Sequence, residues 1–381
     1  MKTLLLIVPS LIQGGFERVC VDTANYVKDE MNVKIVLFDS TKTFYDTGDI
    51  EIVDLNKPSV DSRIGKLFNV LARALAIKKA KQKYKADIAM SFGPSASLPN
   101  VLSRVKGCET WVNLRSYMDL SNHRQMSLFC DRADRVICCS KGIEKEIRDN
   151  YNPGRTDTVY NPFNLERTID LSKAKEELPL KSEEEFIVST MGRDDEVKGY
   201  WHLIKAFGLF KKKIPKAKLR IIGMGDFKEC KELAADLGIS DSVEFTGALK
   251  NPYPMLKQSD MYVLSSINEG FPNALIEAMA LDLPVVSTDC LTGPSEILAD
   301  ELSKDIKEVK CEKYGILVPR VSDVPDYNSN TLEPEDCLMA EGMIKLASDA
   351  ELLSKYKEAS RRRVNDFSPE KYIECMFNLR I

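Results

Sequence analysis

Phe186-Ile187-Val188-Ser189-Thr190-Met191 is a short apolar run, followed at once by the polar loop Gly192-Arg193-Asp194-Asp195-Glu196-Val197-Lys198-Gly199 and then by residues 200–212, which carry helical spacing. Strand, loop and helix in that order make one βα unit, and the same succession repeats in both directions along the chain. Toward the amino end, residues 2–9, 33–38, 50–54, 87–92, 110–113, 135–138 and 158–160 read as strands, with 16–29 helical after the first. Toward the carboxyl end, 217–222, 242–245, 261–264, 285–288 and 315–318 read as strands and 228–237 and 274–281 as helices. Residues 333–365 read as helical, and Ser368-Pro369-Glu370 starts a last helix with Ser as cap and Pro at its first position. The rhythm breaks at Asn161-Pro162-Phe163-Asn164, where a polar stretch runs to Glu185. Two α/β domains are therefore expected, 1–165 and 166–368, each offering a ligand edge at the carboxyl ends of its strands.

Composition narrows the classes. A chain of 381 residues, 44% apolar and 29% charged, has the make-up of a globular protein of two ordinary domains, not of a disordered or collagen-like one. The ten cysteines are dispersed with no CxxC, and His123 and His202 are the only histidines, which argues against a disulfide scaffold, a zinc ribbon and histidine-rich metal chemistry. No run approaches the ~20 apolar residues of a spanning helix. Pro9 and Gly14-Gly15 fit a strand and turn better than a signal peptide, so a cytoplasmic location, or the cytoplasmic face of a membrane, is expected. The net charge of −4 hides an asymmetry: residues 1–165 hold 24 Lys and Arg against 19 Asp and Glu, and the remainder 30 against 39. A basic first domain points to an anionic partner there.

Several strand-to-helix loops offer chemistry. Gly14-Gly15 ahead of a helix lets backbone approach a phosphate, or simply makes a tight turn. Arg193 and Lys198 flank a loop where both hold a pyrophosphate, or else pair with Asp194, Asp195 and Glu196. Gly223 and Gly225 form a second glycine turn. Glu269 lies in a loop and Glu277 one turn into the following helix, among apolar neighbours; such a carboxylate needs hydrogen bonds, from ribose hydroxyls or from a neighbouring side chain. The run 289–297 follows another strand. No Asp-x-Asp, GxSxG or GxxxxGK[ST] occurs, so the usual carboxylate pair for a divalent ion, serine hydrolases and P-loop phosphotransferases are not expected.

In this order, GRDDEVKG (192–199), IIGMGD (221–226), VEFTG (243–247), EGFPNALIE (269–277) and YGILVP (314–319) resemble the retaining glycosyltransferases of family GT4 over nearly the whole chain. The resemblance implies an α/β fold of GT-B architecture, two facing Rossmann-like α/β/α domains with an inter-domain cleft, and a final helix, 369–381, packed back on the first domain. It implies that Arg193 and Lys198 hold the donor diphosphate, that Glu277 binds ribose, and that Glu269 with Gly270, Phe271 and Pro272 positions the sugar. Gly15, Gly223, Gly225 and Asn273 complete the donor-binding set. It implies retention of configuration, no metal and no cofactor. The wordings GGFERV (14–19) and TDCLTGPSEIL (288–298) are similar to enzymes that move a hexose or N-acetylhexosamine, from a UDP-linked donor, to a polyprenyl-diphosphate-linked or surface glycan. Where relatives carry a histidine near the acceptor, this chain reads Trp111-Val112-Asn113-Leu114-Arg115-Ser116, so Arg115 is the candidate and His123 a surface helix residue. A nucleotide-sugar epimerase on the same architecture, or a non-catalytic nucleotide-sugar-binding protein, are the alternatives; no nucleic-acid partner is expected.

One further stretch stands out. Residues 64–85 hold Lys66, Arg73, Lys78, Lys79, Lys81, Lys83 and Lys85 and no carboxylate. Leu67, Val70, Leu71, Ala74, Leu75 and Ile77 recur at helical spacing, which predicts an apolar face packed on the sheet; the basic end, Lys78, Lys79, Lys81 and Lys83, is either a solvated outer face or a peripheral dock on anionic lipid.

Overall fold

The structure, a computed structural model, describes residues 1–12, 14–41, 43–174 and 181–379. The chain divides into two compact units, Met1–Pro162 with Pro369–Ile381, and Phe163–Ser368. The first runs β1 (Thr3–Val8), α1 (Gly15–Val27), β2 (Asn32–Leu37), β3 (Glu51–Asp54), α2 (Arg63–Lys83), β4 (Ile88–Phe92), α3 (Pro94–Leu102), β5 (Glu109–Leu114), α4 (His123–Arg132), β6 (Arg135–Cys138), α5 (Lys141–Asn150) and β7 (Thr156–Thr158). The second runs α6 (Leu165–Ser172), β8 (Phe186–Met191), α7 (Tyr200–Lys213), β9 (Ala217–Ile222), α8 (Lys228–Asp236), β10 (Val243–Phe245), α9 (Tyr253–Lys257), β11 (Met261–Leu264), α10 (Asn273–Ala280), β12 (Val285–Thr288), α11 (Pro294–Leu298), β13 (Lys310–Cys311), β14 (Ile316–Val318), α12 (Pro334–Ser348) and α13 (Ala350–Val364). The last helix, α14 (Pro369–Asn378), belongs to the first unit, where the Tyr372 hydroxyl meets Thr23 Oγ1 at 2.7 Å and Met376 joins the apolar core of α1. Of the stretch 161–185, residues 175–180 lie outside the described residues, as do the last two of 369–381.

Each unit carries a seven-stranded sheet, in the orders β3-β2-β1-β4-β5-β6-β7 and β10-β9-β8-β11-β12-β14-β13. The first is parallel throughout, and in the second only β13 runs antiparallel, on β14. β1, β4, β8 and β11 are buried along their length or nearly so, as strands covered on both faces must be, and they read as uncharged, mostly apolar runs for that reason. In each sheet the order reverses beside the first strand of the unit, between β1 and β4 and between β8 and β11. Such switch points open a crevice at the strands' carboxyl ends, where open α/β sheets bind ligands.

Four expectations need correction. The polar stretch after Asn164 begins with a helix, α6, capped by the Asn164 side chain on the Arg167 N–H at 2.8 Å. Residues 333–365 are two helices, parted at Asp349, whose carboxylate accepts from Leu352 N and starts the second. The strand expected at 158–160 sits at Thr156–Thr158. The largest correction concerns α2. Its buried side is Arg73, Ala74, Ile77, Ala80 and Lys81, whereas Leu67, Leu71 and Leu75 are exposed. Lys81, expected on the outward basic end, is 1% exposed and donates to Asn100 O, Ser103 O and Thr110 Oγ1, each at 3.3 Å. Arg73 is likewise turned inward, with two donors on Lys57 O and its guanidinium over the Phe38 ring. Three backbone or hydroxyl oxygens satisfy the ammonium that the spacing alone assigns to solvent. Among the described residues no helix is long and apolar enough to cross a membrane.

Candidate functional site

In the second unit the loops after β8, β9, β11 and β12 are stitched into one surface. After β8, Asp195 caps a single helical turn by accepting from Val197 N at 3.1 Å, and Lys198 leaves that turn toward the β11 loop. There its ammonium donates to Glu269 Oε1 at 2.7 Å, and the Ser266 hydroxyl donates to the same oxygen at 2.6 Å. The two loops also exchange backbone bonds, Ile267 N to Val197 O at 2.8 Å and Ser265 Oγ to Lys198 O at 2.8 Å. A partly buried cation–carboxylate pair held from both sides has little conformational freedom left, so it presents fixed charge rather than a mobile chain.

Arg193 behaves differently. It is exposed and makes no hydrogen bond or ion pair among the described residues. The three neighbouring acids do not neutralise it. Asp194 accepts from Phe227 N at 2.6 Å, Asp195 serves as the cap, and Glu196 makes no ion pair with either cation among the described residues, Lys198 having gone to Glu269. The local-pairing reading of this loop therefore does not hold, and a guanidinium with its donor fork unused remains at the mouth of the sheet.

The glycines of the β9 loop are there for contact between loops. A Cβ on Gly223 would lie 1.8 Å from Gly192 O, and one on Gly225 2.0 Å from Asp194 Cβ. What the backbone approaches is the Arg193 loop itself, so these glycines hold it in position. The run 289–297 does similar work: the Thr292 hydroxyl donates to Glu269 O, and Gly293 packs on Pro272.

Glu277 lies on α10, 7% exposed, and accepts from the Tyr253 hydroxyl at 3.0 Å. Tyr253 comes from α9, 24 residues away, and nothing in the spacing announces it. Phe271 is buried edge-on against Phe367, with Gly270 and Pro272 beside it in the chain, so this loop is backed by core. Asn273 opens α10. Burial pushes the phenols of Tyr200 and Tyr262 and the thiol of Cys290 up, with nearby acidic groups adding to it, so all three stay protonated around the loops.

The first unit has a smaller polar cluster at its own switch point. Gly15 is the first residue of α1, and Gly14 is clamped by Tyr45, whose hydroxyl donates to Gly14 O at 2.8 Å. Glu17, in the first turn, is 5% exposed, a buried carboxylate at a helix amino end that the motif reading passed over. Arg115, after β5, donates from Nη1 to the Asn161 side chain and lies over the Phe92 ring at 5.7 Å. It is thus fastened within its own unit. His123 is exposed at the start of α4 and pairs with the Tyr151 hydroxyl at 2.8 Å, while buried His202 joins Asp336 at 2.6 Å and Ser322 O at 3.1 Å, tying α7 to the start of α12.

Comparison with known proteins agrees with this layout. Residues 172–310 match the family described as glycosyl transferases group 1, and residues 13–167 that described as glycosyltransferase family 4. An uncharacterised glycosyltransferase of Methanocaldococcus jannaschii is 32% identical over 334 residues, 81% of this chain and 82% of that one. The N-acetylgalactosamine-N,N'-diacetylbacillosaminyl-diphospho-undecaprenol 4-alpha-N-acetylgalactosaminyltransferase of Campylobacter jejuni is 27% identical, covering 97% of both chains. The Anabaena protein HepE, solved in complex with UDP, superposes with a TM-score of 0.75 at 18% identity, over 100% of this chain and 99% of that one, which speaks to the fold. With both units matched and the M. jannaschii relative aligned over most of its length, the chain belongs to the group 1, family 4 glycosyltransferases and is a hexosyl-transferring enzyme of the GT-B fold.

Proposed function

We propose that this enzyme moves a hexose or N-acetylhexosamine, with retention of configuration, from a UDP-linked sugar to a polyprenyl-diphosphate-linked or growing surface glycan at the cytoplasmic face of a membrane. One observation carries the donor half of this reading: two cations on one short loop at the sheet's switch point, Lys198 fixed by Glu269 and Arg193 with its donors unused. In such a transfer the bond from the anomeric carbon to the phosphate oxygen breaks, and a bond to the acceptor oxygen forms as that hydroxyl gives up its proton. Negative charge gathers on the departing diphosphate. Arg193 is assigned to meet it directly, and Lys198 to meet it from a position already set, at no reorganisation cost. Glu277 is assigned to the ribose, in the orientation that Tyr253 gives it. Glu269, Gly270, Phe271 and Pro272 are assigned to the sugar, with Asn273, Gly223 and Gly225 shaping the donor pocket; Gly15 and Arg115 are the candidates of the first unit.

The acceptor half is supported by the Campylobacter relative, whose name specifies an undecaprenol diphosphate acceptor. No observation favours the epimerase or the non-catalytic alternative. The test is release of free nucleoside diphosphate from a panel of sugar nucleotides, in excess EDTA, with and without a membrane lipid extract. One UDP-sugar should be hydrolysed slowly alone and faster with extract. Silence across the panel, or turnover restored only by Mg²⁺ or Mn²⁺, would refute the reading.

A further inference from the structure

The outward side of α2 is built unlike the rest of the surface. Ile64 (73% exposed), Leu67 (65%), Phe68 (67%), Leu71 (49%) and Leu75 (63%) recur at helical spacing. At 3.6 residues per turn they fall within an arc of about 100°. The buried side, Arg73, Ala74, Ile77, Ala80 and Lys81, is centred on the opposite side of the same helix. The apolar ridge is therefore not a packing face left open by chance, because the packing face is present and used. Lys78 and Lys79 continue the outward side at the ridge's carboxyl end, with Lys83 one turn on; all three are exposed. Lys78 and Lys79 make no ion pair among the described residues. The nearest carboxylate in sequence is Asp61, ahead of the cap Ser62, and none follows until Asp87.

A contiguous apolar ridge in water marks an interaction surface. Its occupant has to be apolar along about three turns of helix and anionic at one end. A second copy of this chain, paired antiparallel ridge to ridge, offers one acid, Asp61, against Lys78 and Lys79, fewer anions than cations at each end. An anionic bilayer meets both requirements, with phosphate headgroups over acyl chains. We propose that α2 lies in the membrane interface with Ile64, Leu67, Phe68, Leu71 and Leu75 inserted among the acyl chains and Lys78, Lys79 and Lys83 on the headgroup phosphates. This replaces electrostatic docking by insertion. It takes from the proposed function only the location at a membrane, so vesicles lacking any glycosyl acceptor test it separately.

The experiment sediments the full chain with sucrose-loaded phosphatidylcholine vesicles, with or without phosphatidylglycerol, at low and high salt. Wild type should pellet with the anionic vesicles and keep part of that binding at high salt, because apolar insertion is not screened. Leu67→Ser/Phe68→Ser/Leu71→Ser should lose roughly tenfold or more in partitioning at either salt. Lys78→Gln/Lys79→Gln/Lys83→Gln should lose the preference for phosphatidylglycerol. A Phe68→Trp variant should shift its emission to the blue on binding and be quenched by brominated acyl chains. The replaced side chains are exposed, so thermal melts and slow donor hydrolysis in solution should match wild type; loss of donor hydrolysis in wild type itself would strike the proposed function and leave the ridge standing. Wild type remaining in the supernatant, a ridge variant pelleting as well as wild type, or a wild-type dimer that the ridge variant dissolves would each overturn the insertion.

Discussion

The donor-side loops of the second unit and the helix α2 of the first treat charge in opposite ways. In the loops, Lys198 meets a carboxylate, Glu277 meets a phenol, and Arg193 is the cation that stands open among the described residues. On α2 the arrangement is inverted: Lys81 and Arg73 go inward onto backbone and hydroxyl oxygens, while five large apolar side chains face out. The difference separates two uses of charge. A site that stabilises charge developing in a reaction keeps paired groups rigid and one donor unused. A surface that meets lipid keeps its apolar side chains outside and lets a buried ammonium rest on carbonyls.

The largest effect that would break this contrast lies at Lys198. Lys198→Ala should slow transfer about 10²–10³-fold, the scale seen when one preorganised donor is removed. Steady-state kinetics giving less than a tenfold change would mean that the Glu269 pair is structural. Next comes the packing that holds Arg193 in place. Gly223→Ala forces a methyl against Gly192 O, and should cost about 1–3 kcal/mol in the second unit's unfolding. A chemical denaturation midpoint equal to wild type would show that the loop yields freely. Glu277→Ala should weaken nucleotide diphosphate binding at least tenfold, since a contact to a charged group is worth about 1.5–3 kcal/mol. Unchanged affinity by calorimetry would remove the ribose role.

The smallest effect sharpens the α2 side. Burial pushes the Lys81 ammonium down to about 8, from the ordinary lysine value of 10.5. Between those two values the unfolded chain holds a proton that the folded chain has lost, so folding gains stability as pH rises through that window. Below about 8 the burial cost is present in full. Lys81→Met should therefore be more stable than wild type at neutral pH by about 1–2 kcal/mol, with the gap closing toward pH 10.5; three lost hydrogen bonds hold it below the full value of the shift. A gap independent of pH would show that the ammonium is not the source.

How far the sequence carried depended on where each partner lies along the chain. β8, β9, β11 and β12 were legible to the residue, because strands buried on both faces are rich in apolar and β-branched residues and each is bounded by a polar or glycine loop. The Arg193 loop, the Glu269–Glu277 segment and the glycine turn were equally visible, since each is contiguous. The partners that hold them were not: Tyr253 is 24 residues from Glu277 and Glu269 is 71 from Lys198. Helix α2 misled for a physical reason. Leu67, Leu71 and Leu75 keep helical spacing whether a helix turns them inward or outward, and only the tertiary partners of Lys81 decide which. The stretch after Asn164 hid α6 because its residues are mostly polar and its start rests on one side-chain cap.

On the proposed function, the loop between β8 and α7 recognises a diphosphate. Calorimetry in EDTA, comparing a nucleoside diphosphate with its nucleoside on wild type and on Arg193→Ala/Lys198→Ala, tests it most directly. Two charge-assisted contacts are worth roughly 3 kcal/mol or more together. Wild type should therefore prefer the diphosphate by about a hundredfold or more, and the double variant should lose most of that preference while binding the nucleoside as before. Equal affinity for the two ligands in wild type, or a preference that survives the double substitution, would mean that this loop does not read the diphosphate.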